Sequence, residues 1–133
     1  MAKIKVEIVT PERRLASMQA DEVIAPGASG LFGVRPGHAP FLSVLQPGPL
    51  TVKEGGTTTV YFVAGGFVEA GPEIVRVLAD TAETKAEIDV AAAQKRLSEA
   101  EAAVKAIEAV DPRLEVQQQI VATEKKRLEV ARG

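Results

Sequence analysis

The sequence predicts an α+β protein, an antiparallel β-sandwich or barrel followed by an antiparallel two-helix hairpin. Short alternations of apolar and polar residues are broken by Gly or Pro every 8–12 residues or so, the rhythm of an antiparallel β fold and not of βαβ units. Every glycine except Gly133 lies before residue 72, and seven of the eight prolines lie at or before Pro72. From Thr81 to Arg132 there is no Gly and one Pro, and the helix formers Ala, Glu, Lys and Gln abound. That shift divides the chain into residues 1–83, the strand domain, and residues 84–133, the helical domain.

Ile4, Val6 and Ile8 alternate with Lys3, Lys5 and Glu7, which reads as a half-buried strand ended by Thr10-Pro11-Glu12. Further strands are expected over Arg14 to Gln19 and Glu22 to Ala25, with Ala28-Ser29-Gly30 as loop. Pro36-Gly37-His38-Ala39-Pro40 is a rigid turn, because Pro fixes φ while Gly admits positive φ, and it leads into a strand from Phe41 to Leu45. Gln46-Pro47-Gly48-Pro49 forces the next turn. Leu50 to Lys53 and Thr57 to Val63 flank Glu54-Gly55-Gly56, a hairpin signal. Ala70-Gly71-Pro72-Glu73 marks another hairpin, between Phe67-Val68-Glu69 and Ile74 to Leu78.

In the helical part Val90, Leu97 and Val104 recur every seven residues, as do Ala93, Ala100 and Ile107, which predicts a narrow seam. Asp111-Pro112 breaks the run, Asp suited to cap a second helix and Pro to its first position. Leu114, Val121 and Leu128 supply the facing seam, so the two helices fold back on each other. The first helix has two possible starts, the capping box Thr84-Lys85-Ala86-Glu87 and the cap residue Asp89. Either the end simply frays or the helix can change its length.

Composition excludes several classes of function. Hydrophobic residues at 46% and charged residues at 26% describe an ordered globular chain. A net charge of −2 with mixed signs supplies no field for nucleic acid or an anionic membrane, and aromatics at 4% give no base-stacking surface. Cysteine is absent, so disulfides, thiolate nucleophiles and Cys-ligated zinc are excluded. The longest apolar run, Val60 to Ala64, is far short of the ~20 residues that span a bilayer. Ala2-Lys3-Ile4-Lys5 lacks the apolar core of a signal peptide.

Catalytic patterns are equally sparse. Gly27-Ala28-Ser29-Gly30-Leu31-Phe32-Gly33 is neither a dinucleotide fingerprint nor a phosphate-binding loop, since it lacks the Gly-Lys-Ser/Thr ending. His38, the single histidine, has no G-x-S-x-G serine to activate and reads as a turn residue that packs or meets a partner. No spacing suits a metal. Glu69 and Glu73 flank a hairpin tip as solvated surface. Lys125-Lys126-Arg127 is a local cluster in a segment otherwise balanced, nine basic against nine acidic side chains from Thr84 onward, and could dock on an acidic partner.

The run Gly30-Leu31-Phe32-Gly33-Val34-Arg35-Pro36-Gly37-His38-Ala39-Pro40-Phe41-Leu42 resembles the G-x-x-G-x-x-P-G-H-x-P-h-L signature (h, apolar) of the epsilon subunit of F-type ATP synthases. Gln46-Pro47-Gly48, Gly65-Gly66-Phe67-Val68-Glu69 and Val77-Leu78-Ala79-Asp80 continue the likeness in order. The resemblance implies a flattened two-sheet β-sandwich with a C-terminal helical hairpin, in a non-catalytic rotor subunit that binds the gamma subunit and the c-ring. It implies that Ser29, Gly30, Leu31 and His38 face the c-ring. It also implies peripheral attachment at the cytoplasmic face of a bacterial inner membrane, through partners only.

In bacterial members of that family the hairpin folds on the sandwich or extends into the alpha/beta catalytic head, where it blocks ATP hydrolysis. By the same resemblance Lys125, Lys126 and Arg127 are the residues that would meet the head. Some members bind ATP at an I-D-x-x-R-A motif. Here Ile88, Asp89 and Ala93 match while Ala92 stands where the arginine would be, with Arg96 and Arg127 further on. Two readings from other classes stand beside the rotor subunit: a free-standing ATP sensor that uses the hairpin, and a small enzyme that uses His38.

Overall fold

In the computed structural model, which describes residues 2–133, eight strands precede two helices. The strands are β1 (Ile4–Val9), β2 (Arg14–Ala20), β3 (Glu22–Gly27), β4 (Gly30–Val34), β5 (Phe41–Val44), β6 (Gly48–Glu54), β7 (Thr57–Ala70) and β8 (Ile74–Thr84). They run in the order β2-β1-β8-β7-β6-β3-β4, with β5 on the far half of β7. β7 and β8 belong to both layers of the sandwich. The first half of β7 pairs with β6 and the second half with β5, so the ribbon of β7 and β8 carries the chain from one layer to the other. The bend falls at Gly65 and Gly66, which have φ of 70° and 91°.

Between the layers lies one core. Ile4, Val6, Ile8, Val68, Val75 and Val77 meet Val23, Val34, Leu50, Val52 and Val63, all buried. These residues recur at alternate positions because successive side chains of a strand point to opposite faces. Val60 to Ala64 is apolar at every position for a different reason. Tyr61 and Val63 face the core between the sheets, whereas Phe62 and Ala64 pack on the outer side against Ile88 and Val130 of the helical part. This stretch is covered on both faces.

The structure departs from the sequence reading in several places, among them β8, which runs on to Thr84 where a strand ending at Leu78 was expected. Gly30–Val34 is a strand, paired with β3 across the two-residue turn Ala28-Ser29, where only loop and turn were expected. Residues 57–70 form one strand instead of two. β6 already begins at Gly48, leaving Gln46-Pro47 as the turn. Finally, the sheet is not wholly antiparallel, since β1 runs parallel to β8. The hairpin at Gly55-Gly56 is as expected, with Glu54 opposite Thr57 and both glycines at positive φ.

Both helix-start signals are used. Thr84 and Glu87 form a reciprocal capping box around a 3₁₀ turn, Lys85–Glu87, and Asp89 then caps α1 (Val90–Ala106) by accepting from the Ala92 amide. α2 (Arg113–Arg132) returns antiparallel. Pro112, already at helical φ and ψ, directly precedes α2, and Asp111 Oδ1 accepts from the Arg113 amide at 2.9 Å. Ala93, Leu97 and Ala100 line the seam with Leu128, but Val90 lies on the exposed first turn and not in it.

The 3₁₀ turn is clasped from outside by Arg13, whose guanidinium donates to both Glu87 oxygens at 2.8 Å. The Arg13 contact first, then the Thr84 amide, draws the Glu87 pKa from 4.5 down to about 2. A depressed carboxylate contributes stability in full above pH 4.5 and loses it as pH falls toward 2. Acid titration of the wild-type chain should therefore show falling stability across that window, and Glu87→Gln should flatten the fall. An equally steep acid limb in the variant would remove Glu87 from the account.

Candidate functional site

One outer face of the sandwich carries apolar side chains in the open. Val44, Phe67 and Leu78 are directly opposite one another on β5, β7 and β8, and Val9 of β1 continues the row. Opposed residues share a face, and the exposures are 49%, 51% and 44% for Val44, Phe67 and Leu78. The next row on the same face is Leu42, Glu69, Arg76 and Glu7, with an Arg76–Glu69 ion pair at 3.7 Å. An apolar strip rimmed by charge, on a sheet whose other face is already core, is what a protein partner covers. The sequence reading missed this strip. The available signal was that both parities are apolar in Phe67-Val68 and Val77-Leu78, one residue too many for a single buried face.

Two turns that carry candidate residues are linked through the Phe32–Phe41 pair. Ser29 and Gly30 lie exposed at the β3–β4 turn, Gly30 with φ of 117°, and Leu31 beside them is 62% exposed. Phe32 and Phe41 stack edge to face at 5.2 Å, and the half-buried His38 ring adds its edge to Phe41 at 6.4 Å. His38 Nδ1 lies 2.6 Å from the Ala39 carbonyl oxygen, and the His38 amide donates to Arg35 O. The Gly37 amide donates to Pro72 O at 2.8 Å, which fastens this turn to the β7–β8 hairpin. The arrangement is stiff. It places no acid or hydroxyl at His38 for catalysis, and among the described residues no group of three or more His, Asp or Glu side chains could hold a metal.

The helical hairpin is docked on the opposite layer through α2. Val130, Ile88, Phe62 and Ala64 form a small apolar cluster, beside which lies an open groove of about 720 Å³ between β6, β7, the 3₁₀ turn and the end of α2. The basic run divides here. Lys125 and Lys126 are exposed, whereas Arg127 turns inward, with its Nη1 2.5 Å from Glu83 Oε1 and its guanidinium 4.7 Å above the Phe62 ring. Glu124, only 4% exposed, faces Arg127 at 3.2 Å and Arg96 of α1 at 3.1 Å. A charged row thus joins β8, α2 and α1, and no reading of the sequence had foreseen it.

The candidate nucleotide residues are already engaged. Ile88 is buried in the apolar cluster, Asp89 caps α1, Ala93 is fully buried in the helix seam, and Arg127 is paired as described. Ala92 carries no guanidinium, and Arg96 is on Glu124.

Comparison with known proteins agrees with this geometry. Residues 3–85 match the family model described as "ATP synthase, Delta/Epsilon chain, beta-sandwich domain". The ATP synthase epsilon chain of Myxococcus xanthus is 54% identical over 131 residues, spanning 98% of this chain and 96% of the relative. That of Geobacter metallireducens is 41% identical over 129 residues, 97% of this chain and 94% of its own. Among solved structures, a chain in the mitochondrial ATP synthase of Euglena gracilis superposes with a TM-score of 0.80 at 26% identity, covering all of this chain and 83% of that one. A sandwich bent at a double glycine, a stiff Pro-Gly-His turn and an appended helical hairpin therefore have a known setting, and the chain belongs to the ATP synthase delta/epsilon family.

Proposed function

We propose that this chain is a non-catalytic subunit of the central rotor of an ATP synthase, and that its strand and helical parts, residues 1–83 and 84–133, have separate tasks. The sandwich couples: its apolar strip docks on the gamma subunit, and the end bearing Ser29, Gly30, Leu31 and His38 rests on the polar loops of the c-ring. The hairpin regulates: it leaves the sandwich, extends toward the alpha/beta head and slows ATP hydrolysis, with Lys125, Lys126 and Arg127 meeting acidic surface there. On this reading the chain is held peripherally at the cytoplasmic face of a bacterial membrane by its partners. No helix among the described residues is long and apolar enough to cross one.

The exposed strip of Val44, Phe67 and Leu78 is the observation that carries the coupling role. A solvent-facing Phe beside two aliphatic residues costs solubility unless a partner buries it. The experiment adds the purified chain to a catalytic complex depleted of this subunit and measures binding and ATPase activity. Phe67→Glu should weaken binding at least about 30-fold, the equivalent of about 2 kcal/mol for a central interface aromatic. A chain ending at Glu87, which keeps the Thr84 capping box and the Arg13 clasp, should bind equally well and inhibit less. Unchanged binding by Phe67→Glu would move the gamma contact elsewhere. Equal inhibition by both lengths would remove the brake.

A further inference from the structure

We propose that Glu83, Arg127, Glu124 and Arg96 form a latch that holds the hairpin on the sandwich and is electrically complete without any bound anion; this rests on the reading of the hairpin as a mobile element. The row alternates acid and base. Glu83 on β8 meets Arg127 Nη1 at 2.5 Å, Arg127 Nε meets Glu124 Oε1 at 3.2 Å, and the same oxygen meets Arg96 Nη2 at 3.1 Å. Two negative and two positive groups balance, and three elements are tied through α2. Both charges at the centre are withdrawn from water, Glu124 at 4% and the Arg127 side chain at 13% exposure. Burial of this kind is tolerated only when every charge has an opposite neighbour.

Two details make the row a latch and not merely a brace. First, the row crosses from hairpin to sandwich at one point only, where Arg127 Nη1 donates to Glu83 Oε1; the Glu124–Arg127 pair lies within α2 and has no aligned hydrogen bond, so the row opens by breaking a single contact. Second, Arg127 belongs to the basic run. Docked, its charge is spent on Glu83 and Glu124 above Phe62. Undocked, it joins Lys125 and Lys126 on an open helix face. One guanidinium thus closes the resting form and arms the extended one, and the two uses exclude each other.

Glu124 also settles what the pair of arginines does not need. Arg96 and Arg127 converge on one carboxylate oxygen, which occupies the place where a phosphate oxygen would sit between two guanidinium groups. An incoming anion would have to displace a side chain tethered at that spot, whose local concentration is far higher than that of any solute. The latch therefore closes on itself, and nucleotide has no part in closing it.

The chain has no cysteine, so two can be introduced for spin labels, at the exposed residues Thr57 on β7 and Ala109 at the hairpin tip. Pulsed EPR on the full-length chain should show one docked distance. Glu83→Gln and Glu124→Gln should each add a second population above about a tenth of the molecules, the level at which a minor conformer stops being hidden. Lys125→Gln should leave the distribution unchanged, and so should adding ATP to the wild-type chain. Unaltered distances in both Glu variants would overturn the latch, and a shift of the wild-type distances by ATP would overturn its independence of anions. The measurement needs no partner, so it can fail while the rotor assignment stands, and the binding assay can fail while the latch stands.

Discussion

Gly66→Ala will destabilise the sandwich by about 4 kcal/mol, lowering the melting temperature by about 15 °C for a chain of this size. Two effects add. Gly66 sits at φ of 91°, a conformation costly for any residue with a Cβ. A Cβ built there would also lie 1.9 Å from the Leu78 carbonyl oxygen and 3.1 Å from Ala79 Cα, backbone atoms of the paired strand that cannot rotate away. Relief requires β7 and β8 to part at the bend where both change layers, next to the point where the Leu45 amide donates to Gly66 O. Gly55 supplies the control, since it has a positive φ of 55° but nothing within 4 Å of a Cβ. Gly55→Ala should cost only about 1 kcal/mol, the strain alone. Denaturant melts of the two variants within about 1 kcal/mol of each other would show that the close approach at Gly66 is not rigid.

The same residue shows why part of the fold was open to reading and part was not. Local chemistry was legible. Alternation marked β1, Gly55-Gly56 marked a hairpin, and the absence of Gly after residue 72, until Gly133, marked the helical part. Interactions distant in sequence were not legible. Nothing near Ile4–Val9 announces a parallel partner in β8, because the pairing is decided by the two-layer closure. β4 was hidden by Gly30 and Gly33, which look like turn residues; the Gly33 site lies close to the Glu22 carboxylate, and a side chain there would crowd it. The candidate site divides in the same way. The Pro36–Pro40 turn was found from its own residues, whereas the apolar strip needs four strands brought side by side. Glu124 was the one long-range feature with a local clue. It follows Val121 and precedes Leu128, in the seam of α2, where a lone charge has to find partners or unfold the helix pair.

Phe62→Ala will undock the hairpin and leave the sandwich folded. Phe62 is fully buried, yet it lies outside the main core, on the face of β7 that only the helical part covers. Truncation removes its packing with Ile88, Ala64 and Val130 and the ring beneath the Arg127 guanidinium. Loss of a buried Phe costs about 3–5 kcal/mol. That is a large share of what holds the two parts together, because the other contacts are the rest of that small apolar cluster, one charged row and the Arg13–Glu87 clasp at the 3₁₀ turn. The core between the sheets loses nothing, since Tyr61 and Val63 still point into it. Hydrogen exchange separates the outcomes. Amides of α2 should lose protection at least about 100-fold, equivalent to about 3 kcal/mol, while those of β1, β6 and β8 near the core keep theirs. Uniform loss across both parts would mean that hairpin and sandwich unfold as one unit. Unchanged protection in α2 would mean that the Glu83–Arg127 contact holds the hairpin without Phe62 beneath it.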